Sequence, residues 1–128
     1  SQRRARNVAG SIDFQNQVLT LVHFSMPDNP AEHAYMCNLW GEHKGSSYEG
    51  DVFNSYTDGP PGEGKPQMGK FYELESLSPA AELQPGESLR HAHRTIHIQA
   101  DLKTLVPIAR QVLGVDLEEV RTLMFGQK

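Results

Sequence analysis

The side chains best suited to chemistry are concentrated in residues 71–98. Glu73 and Glu75 alternate in a strand-like run, and His91, His93 and His97 follow after a Pro-Gly turn. Because side chains alternate across a strand, we expect the two glutamates to share one face and the histidines to share another. A carboxyl group set among apolar neighbours has the raised pKa that a general acid or base needs near neutral pH. The pattern predicts a site on a β-sheet without naming its reaction.

The histidine row suggests a metal site as one alternative. In a strand, His91 and His93 lie about 7 Å apart, and His97 extends the same row. Neutral imidazole is the commonest metal ligand, so three such rings can hold a divalent ion. Exposed strands also carry such rows without metal, and hydrogen bonding to a ligand's hydroxyl groups is an equal alternative. We therefore predict no cofactor, with a divalent metal at His91, His93 and His97 as the alternative.

Aromatic residues suggest a carbohydrate as the binding partner. Their flat apolar faces suit stacking on the C–H face of a sugar ring, while its hydroxyl groups need polar partners. Each ring can equally be part of the core. The aromatic candidates are Trp40, Tyr48, Tyr56 and Tyr72, and the polar candidates include Asn38, Asn54, Asp58 and Arg94.

Composition restricts the class of protein. The chain has 128 residues, enough for one domain, and a formal net charge of -4. That charge argues against a nucleic-acid partner, which needs a basic surface.

Cys37 is the single cysteine, so no internal disulfide can form. No apolar run has membrane-spanning length and no signal-peptide core is present. We expect no membrane partner, and a periplasmic or secreted location would require a preceding segment.

The pattern predicts a β-rich chain over residues 6–98. Strands are expected at residues 9–14 and 18–24 around a turn at Asn16-Gln17, and further along the chain at 51–56 and 71–76. Residues 34–40 and 81–83 are weaker extended segments. The Pro85-Gly86 turn leads into a long strand, from Ser88 to Ile98.

The C-terminal region, residues 101–124, changes to a helical period. Leu102, Leu105, Ala109 and Val112 belong to one apolar stripe, and Gly114 follows as a helix C-cap. Asp116 with Glu119 resembles a capping box that begins a second short helix. Both helices are expected to pack on the sheet or cover one end of it.

Four segments together resemble an uncharacterised bacterial family with a galactose-mutarotase-like β-supersandwich. They begin at Val18, Gly50, Phe71 and Pro85, and the run from Phe71 to His97 is the most specific. The resemblance implies an antiparallel β-sandwich, present in part, with two short C-terminal helices. Members of that family are longer, so residues 1–128 are expected to form either a single domain or the C-terminal part of one. Association with an upstream half, or with a second copy, is then expected.

A more distant resemblance is to aldose 1-epimerases. Their last strands carry a Leu-Glu-Thr-Gln segment followed by a Pro-Gly-Glu turn. Here Leu74-Glu75-Ser76-Leu77 and Pro85-Gly86-Glu87 occur in that order. The resemblance implies that Glu75 is the general base that removes the proton of the anomeric hydroxyl group. The acid histidines of the epimerases lie upstream, so His91, His93 and His97 do not correspond to them.

Three functional hypotheses follow. The first is a carbohydrate-active or carbohydrate-binding domain with acid–base chemistry of the epimerase kind. The second is a cupin-like metal site, because Gly86, His91, His93 and His97 resemble a cupin's first motif. The third is a non-enzymatic sugar-binding or structural half-sandwich that oligomerises. For the first hypothesis the predicted catalytic residue is Glu75, and the predicted substrate-binding residues are Glu73, Asn54, Trp40, His91, His93 and Arg94.

Overall fold

The computed structural model describes residues 6–38, 44–60, 62–67, 69 and 71–126. It is β-rich, with two antiparallel sheets followed by two C-terminal helices. These residues divide into two compact units. The helical unit consists of residues 6–24 and 93–126, and the middle unit of residues 25–92. The β-rich class and the C-terminal helices therefore agree with the sequence prediction.

The sheet of the helical unit has three strands. They are β1 (Val8–Asp13), β2 (Val18–Phe24) and, after the middle unit, the strand that we number β5 (His93–Gln99), in the spatial order β1-β2-β5. Both pairings are antiparallel. The turn between β1 and β2 is stabilised by Asp13, whose carboxylate accepts hydrogen bonds from the backbone N–H groups of Gln15 and Asn16. The first predicted hairpin is confirmed to within one residue.

Helices α1 (Leu102–Leu113) and α2 (Leu117–Phe125) form in the predicted C-terminal region, on either side of Gly114 and Asp116. The Asp101 side chain accepts a hydrogen bond from the Thr104 N–H at the start of α1, and Asp116 accepts one from the Glu118 N–H at the start of α2. Gly114 ends α1 with a φ of 71°, a left-handed conformation that glycine adopts without steric cost. The predicted C-cap and N-cap are confirmed.

The main core lies between this sheet and its helices. Leu19 and Leu21 of β2 pack with Leu105 and Ala109 of α1 and with Leu117 of α2. All five side chains are buried, and Leu19, Leu105 and Ala109 have no exposed surface at all. The prediction that the helices pack on the sheet is confirmed.

The middle unit carries the second sheet. Strands β3 (Phe53–Thr57) and β4 (Tyr72–Ser76) pair antiparallel. Tyr35 and Val52 are its buried apolar residues. The backbone at Gly50 passes so close to Met36 that a Cβ atom at Gly50 would lie 1.8 Å from the Met36 carbonyl oxygen. Only glycine fits this approach, which the hydrogen bond from the Gly50 N–H to the Tyr35 carbonyl oxygen holds together.

Three predicted extended segments are wrong in extent. The strand predicted from Ser88 begins only at His93, because its partner β2 ends at Phe24 and Pro27 soon follows without an N–H to donate. Residues 81–83 form no strand, and the described part of 34–40 forms only one bridge, between Tyr35 and Glu49. Within the described residues, no helix has both the length and the apolar character needed to span a membrane.

Candidate functional site

The pairing of β3 with β4 assembles a polar group on one face of the small sheet. Asn54 is the register partner of Glu75, and Tyr56 is the register partner of Glu73. Directly opposed residues of antiparallel strands project from the same face, as do alternate residues along one strand. All four side chains therefore share a face, and the prediction that the two glutamates do so is confirmed.

Glu75 influences the ionisation of Glu73. Side-chain hydrogen bonding with Glu75 is the main cause that raises the pKa of Glu73, with smaller contributions from partial desolvation and from charge repulsion by Glu75. Glu75 also accepts a hydrogen bond of 2.9 Å from the Asn54 side-chain amide. Glu73 is exposed, whereas Glu75 and Asn54 are half-buried. The raised pKa of Glu73 favours the protonated form of that carboxyl group, which is the form a general acid needs.

Asp58 connects this group to the loop that follows β3. Its carboxylate accepts hydrogen bonds from the Tyr56 hydroxyl at 3.4 Å and from the Gly69 N–H at 2.7 Å. The Gln67 side-chain amide donates to the backbone carbonyl oxygens of both Asp58 and Gly69. Desolvation raises the pKa of Tyr56, and the negative charges of Asp58 and Glu73 raise it further. The hydroxyl of Tyr56 therefore stays protonated and remains a hydrogen-bond donor.

The surroundings of the glutamate pair are open. A cavity of about 130 Å³ reaches Asn54 from the side of Cys37 and Asp51. This volume is below the roughly 300–1,000 Å³ of pockets that enclose a small organic ligand. The rings of Tyr56 and Phe71 lie beside each other, with centroids 6.0 Å apart. A ligand at this site would rest on an exposed sheet face with an aromatic border.

His91 lies in the loop before β5 and not in that strand. Its Nε2 atom lies 2.8 Å from the Ser76 Oγ atom, and its Nδ1 atom lies 3.2 Å from the Ser25 Oγ atom. Ser25 Oγ also accepts a hydrogen bond from the Ala92 N–H. His91 therefore ties the end of β4 to the segment that follows β2. Because Ser76 and Glu75 are adjacent in β4, their side chains project from opposite faces.

The other predicted residues belong to the helical unit. His93, Thr95 and His97 alternate along β5, as predicted, and Arg94 is exposed on the opposite face. His93 Nε2 lies 3.2 Å from Thr95 Oγ1, and His97 Nδ1 lies 3.0 Å from the Oγ1 atom of Thr20, which is buried. Hydroxyl-binding roles for His93 and Arg94 stay predictions. Trp40 lies outside the described residues.

A metal site gains no support from the positions of these side chains. Throughout the described ranges, no group of three or more His, Cys, Asp or Glu residues is arranged to hold a metal ion. His91 lies outside β5, so it does not share a strand face with His93 and His97, contrary to the sequence prediction. The premise of a continuous histidine row is therefore wrong.

The structure brings the predicted residues Glu73, Glu75 and Asn54 together. It also shows hydrogen bonds of neighbouring residues that the sequence does not predict. Tyr56 and Asp58 were candidates for sugar contacts, and the Asp58–Gly69 hydrogen bond closes a loop instead. Ser25 and Ser76 had no predicted role. The run of Gly and Pro at residues 57–64 predicts a loop here, but this pattern does not specify the partners of its side chains.

Sequence comparison places the chain in a family whose activity is unassigned. A model of a protein family of unknown function, DUF6786, matches residues 1–124. The chain belongs to this family, since the match covers nearly its whole length. No curated protein and no solved structure shows significant similarity to the chain.

Proposed function

We propose that the chain is a carbohydrate-active domain that interconverts the anomers of a sugar by acid–base chemistry at Glu73 and Glu75. The observation that carries this proposal is the placement of Glu73 and Glu75 on one face of β4, where Asn54 bonds Glu75 and the pKa of Glu73 is raised. A protonated and an ionised carboxyl group side by side supply an acid and a base at the same time. The resemblance of the Leu74–Leu77 segment to aldose 1-epimerases supports the assignment of Glu75 as the base.

The proposed step moves two protons and breaks one bond. Glu75 removes the proton of the anomeric hydroxyl group while Glu73 donates its proton to the ring oxygen. The bond between the anomeric carbon and the ring oxygen breaks, and the anomeric carbon becomes an aldehyde carbonyl. After rotation about the adjacent bond, the reverse proton transfers close the ring as the other anomer. Both oxygens are bonded to one carbon, so two neighbouring carboxyl groups can contact them together.

The neighbouring side chains would hold the sugar and the base in place. The Asn54 amide donates to Glu75 and so keeps its carboxylate oriented toward the site. The tilted rings of Tyr56 and Phe71 offer apolar surface for the C–H face of a sugar ring. His91 remains a candidate substrate contact only through a rearrangement, because both its ring nitrogens lie within hydrogen-bond distance of serine hydroxyls.

The test is anomer exchange measured by polarimetry or NMR over a panel of aldoses. We expect the protein to accelerate exchange of at least one sugar and Glu75→Gln to reduce that acceleration by about 100-fold or more. Glu82→Gln is the matched control, because Glu82 is an exposed glutamate of the same unit. Equal rates for Glu75→Gln and Glu82→Gln would exclude Glu75 as the base. Sugar binding without acceleration would favour the non-enzymatic binding domain.

The fold type and the assembly are proposed on the same resemblance. We propose that the two antiparallel sheets are part of a galactose-mutarotase-like supersandwich. Within the described chain, β1 and β5 are the outer strands of their sheet, and Leu123, Met124 and Phe125 of α2 are exposed. Open strand edges and exposed apolar residues favour association with a second copy or with further strands. Light scattering that shows a monomer at all concentrations would exclude self-association.

A further inference from the structure

A second concave site lies in the middle unit, on the side of His91. This groove has a volume of about 440 Å³, within the range of small-molecule sites. Its walls are mainly apolar, and Pro79, Ala80 and Leu89 contribute to them. The exposed fraction of the Leu89 side chain is 46%. An apolar surface of this kind favours a ligand with a hydrocarbon body.

The ionisable groups of the groove are basic. Arg90, His33 and His91 line it, and no Asp or Glu is among its described lining residues. Arg90 and His33 are exposed, and no salt bridge joins Arg90 to a carboxylate within the described chain. The protein as a whole has a formal net charge of -4, so a site lined only by basic ionisable groups is a local exception. The guanidinium group of arginine has the planar geometry that binds a carboxylate through two parallel hydrogen bonds.

Hydrogen bonds fix the position of two segments that line the groove. His91 is fixed between Ser25 and Ser76, at 3.2 Å and 2.8 Å from their Oγ atoms. The Ala80 N–H donates a 2.8 Å hydrogen bond to the Ala34 carbonyl oxygen, which fastens the segment that contributes Pro79 and Ala80. A site formed before the ligand arrives loses less conformational entropy on binding.

From these observations we infer that the groove binds a small amphipathic carboxylate. The hydrocarbon body lies against Pro79, Ala80 and Leu89, and the carboxylate is bound by Arg90 at the rim. This site is distinct from the glutamate pair, because Ser76, which bonds His91, projects from the face of β4 opposite to Glu75. The inference does not depend on the proposed sugar chemistry.

The test compares three six-carbon probes that differ only in their head group. Hexanoate, hexan-1-ol and hexylamine are titrated into the full chain while backbone amide resonances are followed by NMR. We expect hexanoate to bind with a dissociation constant in the millimolar range, roughly tenfold more tightly than hexan-1-ol. The amide resonances that shift should be those of Ala80, Ala81, Leu89, Arg90 and His91. Equal affinity for hexanoate and hexylamine would overturn the inference, as would the absence of hexanoate binding.

Two variants and a control distinguish the contribution of the Arg90 charge to binding from that of the apolar wall. Arg90→Gln should lower hexanoate affinity to that of hexan-1-ol and leave hexan-1-ol binding unchanged. Lys65→Gln removes the same charge from an exposed position outside the groove and should leave both affinities unchanged. Leu89→Ala should weaken both probes. If Arg90→Gln and Lys65→Gln lower hexanoate affinity equally, the protein binds carboxylates only through its overall charge, and the assigned site is wrong.

Discussion

Glu73 and Glu75 project from one face of β4, and Glu75 is the main cause that raises the pKa of Glu73. Alternate residues of a strand lie about 7 Å apart, so two long side chains on one face are near enough to influence each other. Asn54 holds Glu75 from the neighbouring strand at 2.9 Å, whereas Glu73 is the more exposed member. The pair is therefore asymmetric, with the raised pKa on the exposed member.

This asymmetry predicts the pH dependence of the proposed reaction. Glu73 must be protonated to act as the acid, and its pKa is raised above the usual value for glutamate. The anomer-exchange rate should therefore fall as the pH rises through that pKa. The measurement is the exchange rate as a function of pH. Glu73→Gln should remove this falling limb, whereas Glu82→Gln should retain it.

The stability of the folded protein should also depend on the protonation of Glu73, and this contribution should decrease as the pH rises. A carboxyl group whose pKa is raised in the folded state contributes stability below its unfolded pKa, and that contribution is lost as the pH rises through the folded value. The thermal midpoint of Glu73→Gln should therefore depend less on pH across this window than that of the unchanged protein. A parallel pH dependence in both proteins would contradict a raised pKa at Glu73.

The hydrogen bonds of Asp58 predict that its carboxylate stabilises the loop between β3 and β4. Asp58→Asn replaces a charged acceptor and should weaken the 2.7 Å hydrogen bond from the Gly69 N–H. Hydrogen exchange at Gly69 should therefore become faster. The pKa of Tyr56 should fall, because the negative charge of Asp58 is one of the causes that raise it. Asp51→Asn, an exposed substitution in the same unit, should leave the Tyr56 titration unchanged.

Tyr35 offers a stabilising substitution. Its side chain is completely buried, and its hydroxyl group has no hydrogen-bond partner among the described residues. Burial of an unsatisfied hydroxyl group is unfavourable, so Tyr35→Phe should raise the free energy of unfolding by about 1 kcal/mol. Chemical denaturation measures this change. Tyr56→Phe removes a hydroxyl group that donates to Asp58 and should not be stabilising. A destabilised Tyr35→Phe protein would show that the hydroxyl group is satisfied in solution.

The core of the helical unit predicts a large effect at Leu105. This side chain is fully buried between α1 and the leucines of β2. Leu105→Ala should lower the free energy of unfolding by about 2–5 kcal/mol, because it removes apolar contacts and leaves a cavity. Leu123→Ala is the same change on α2 at a side chain that is 85% exposed, and it should have little effect. Similar losses for both variants would contradict the position of the core.

Local signals account for what was predictable from the sequence. The β1–β2 hairpin and both helices depend on short-range periods and caps, such as Gly114 and Asp116, and their positions were predicted closely. The extent of β5 depends on where β2 stops, which is a property of a strand distant in sequence. His91 was therefore assigned to a strand that begins two residues later. The contact between Asn54 and Glu75 depends on the register across a long loop, which local patterns do not determine.

The path of the chain through the three-stranded sheet has an evolutionary consequence. Phe24, the last residue of β2, and His93, the first of β5, are register partners. The chain thus leaves the sheet and returns to it at neighbouring points, which is the situation in which proteins accept inserted domains. Residues 25–92 can accordingly be regarded as an exchangeable module. Recombination that replaced this module would exchange the proposed site while the sheet and its covering helices kept their own hydrogen bonds and core.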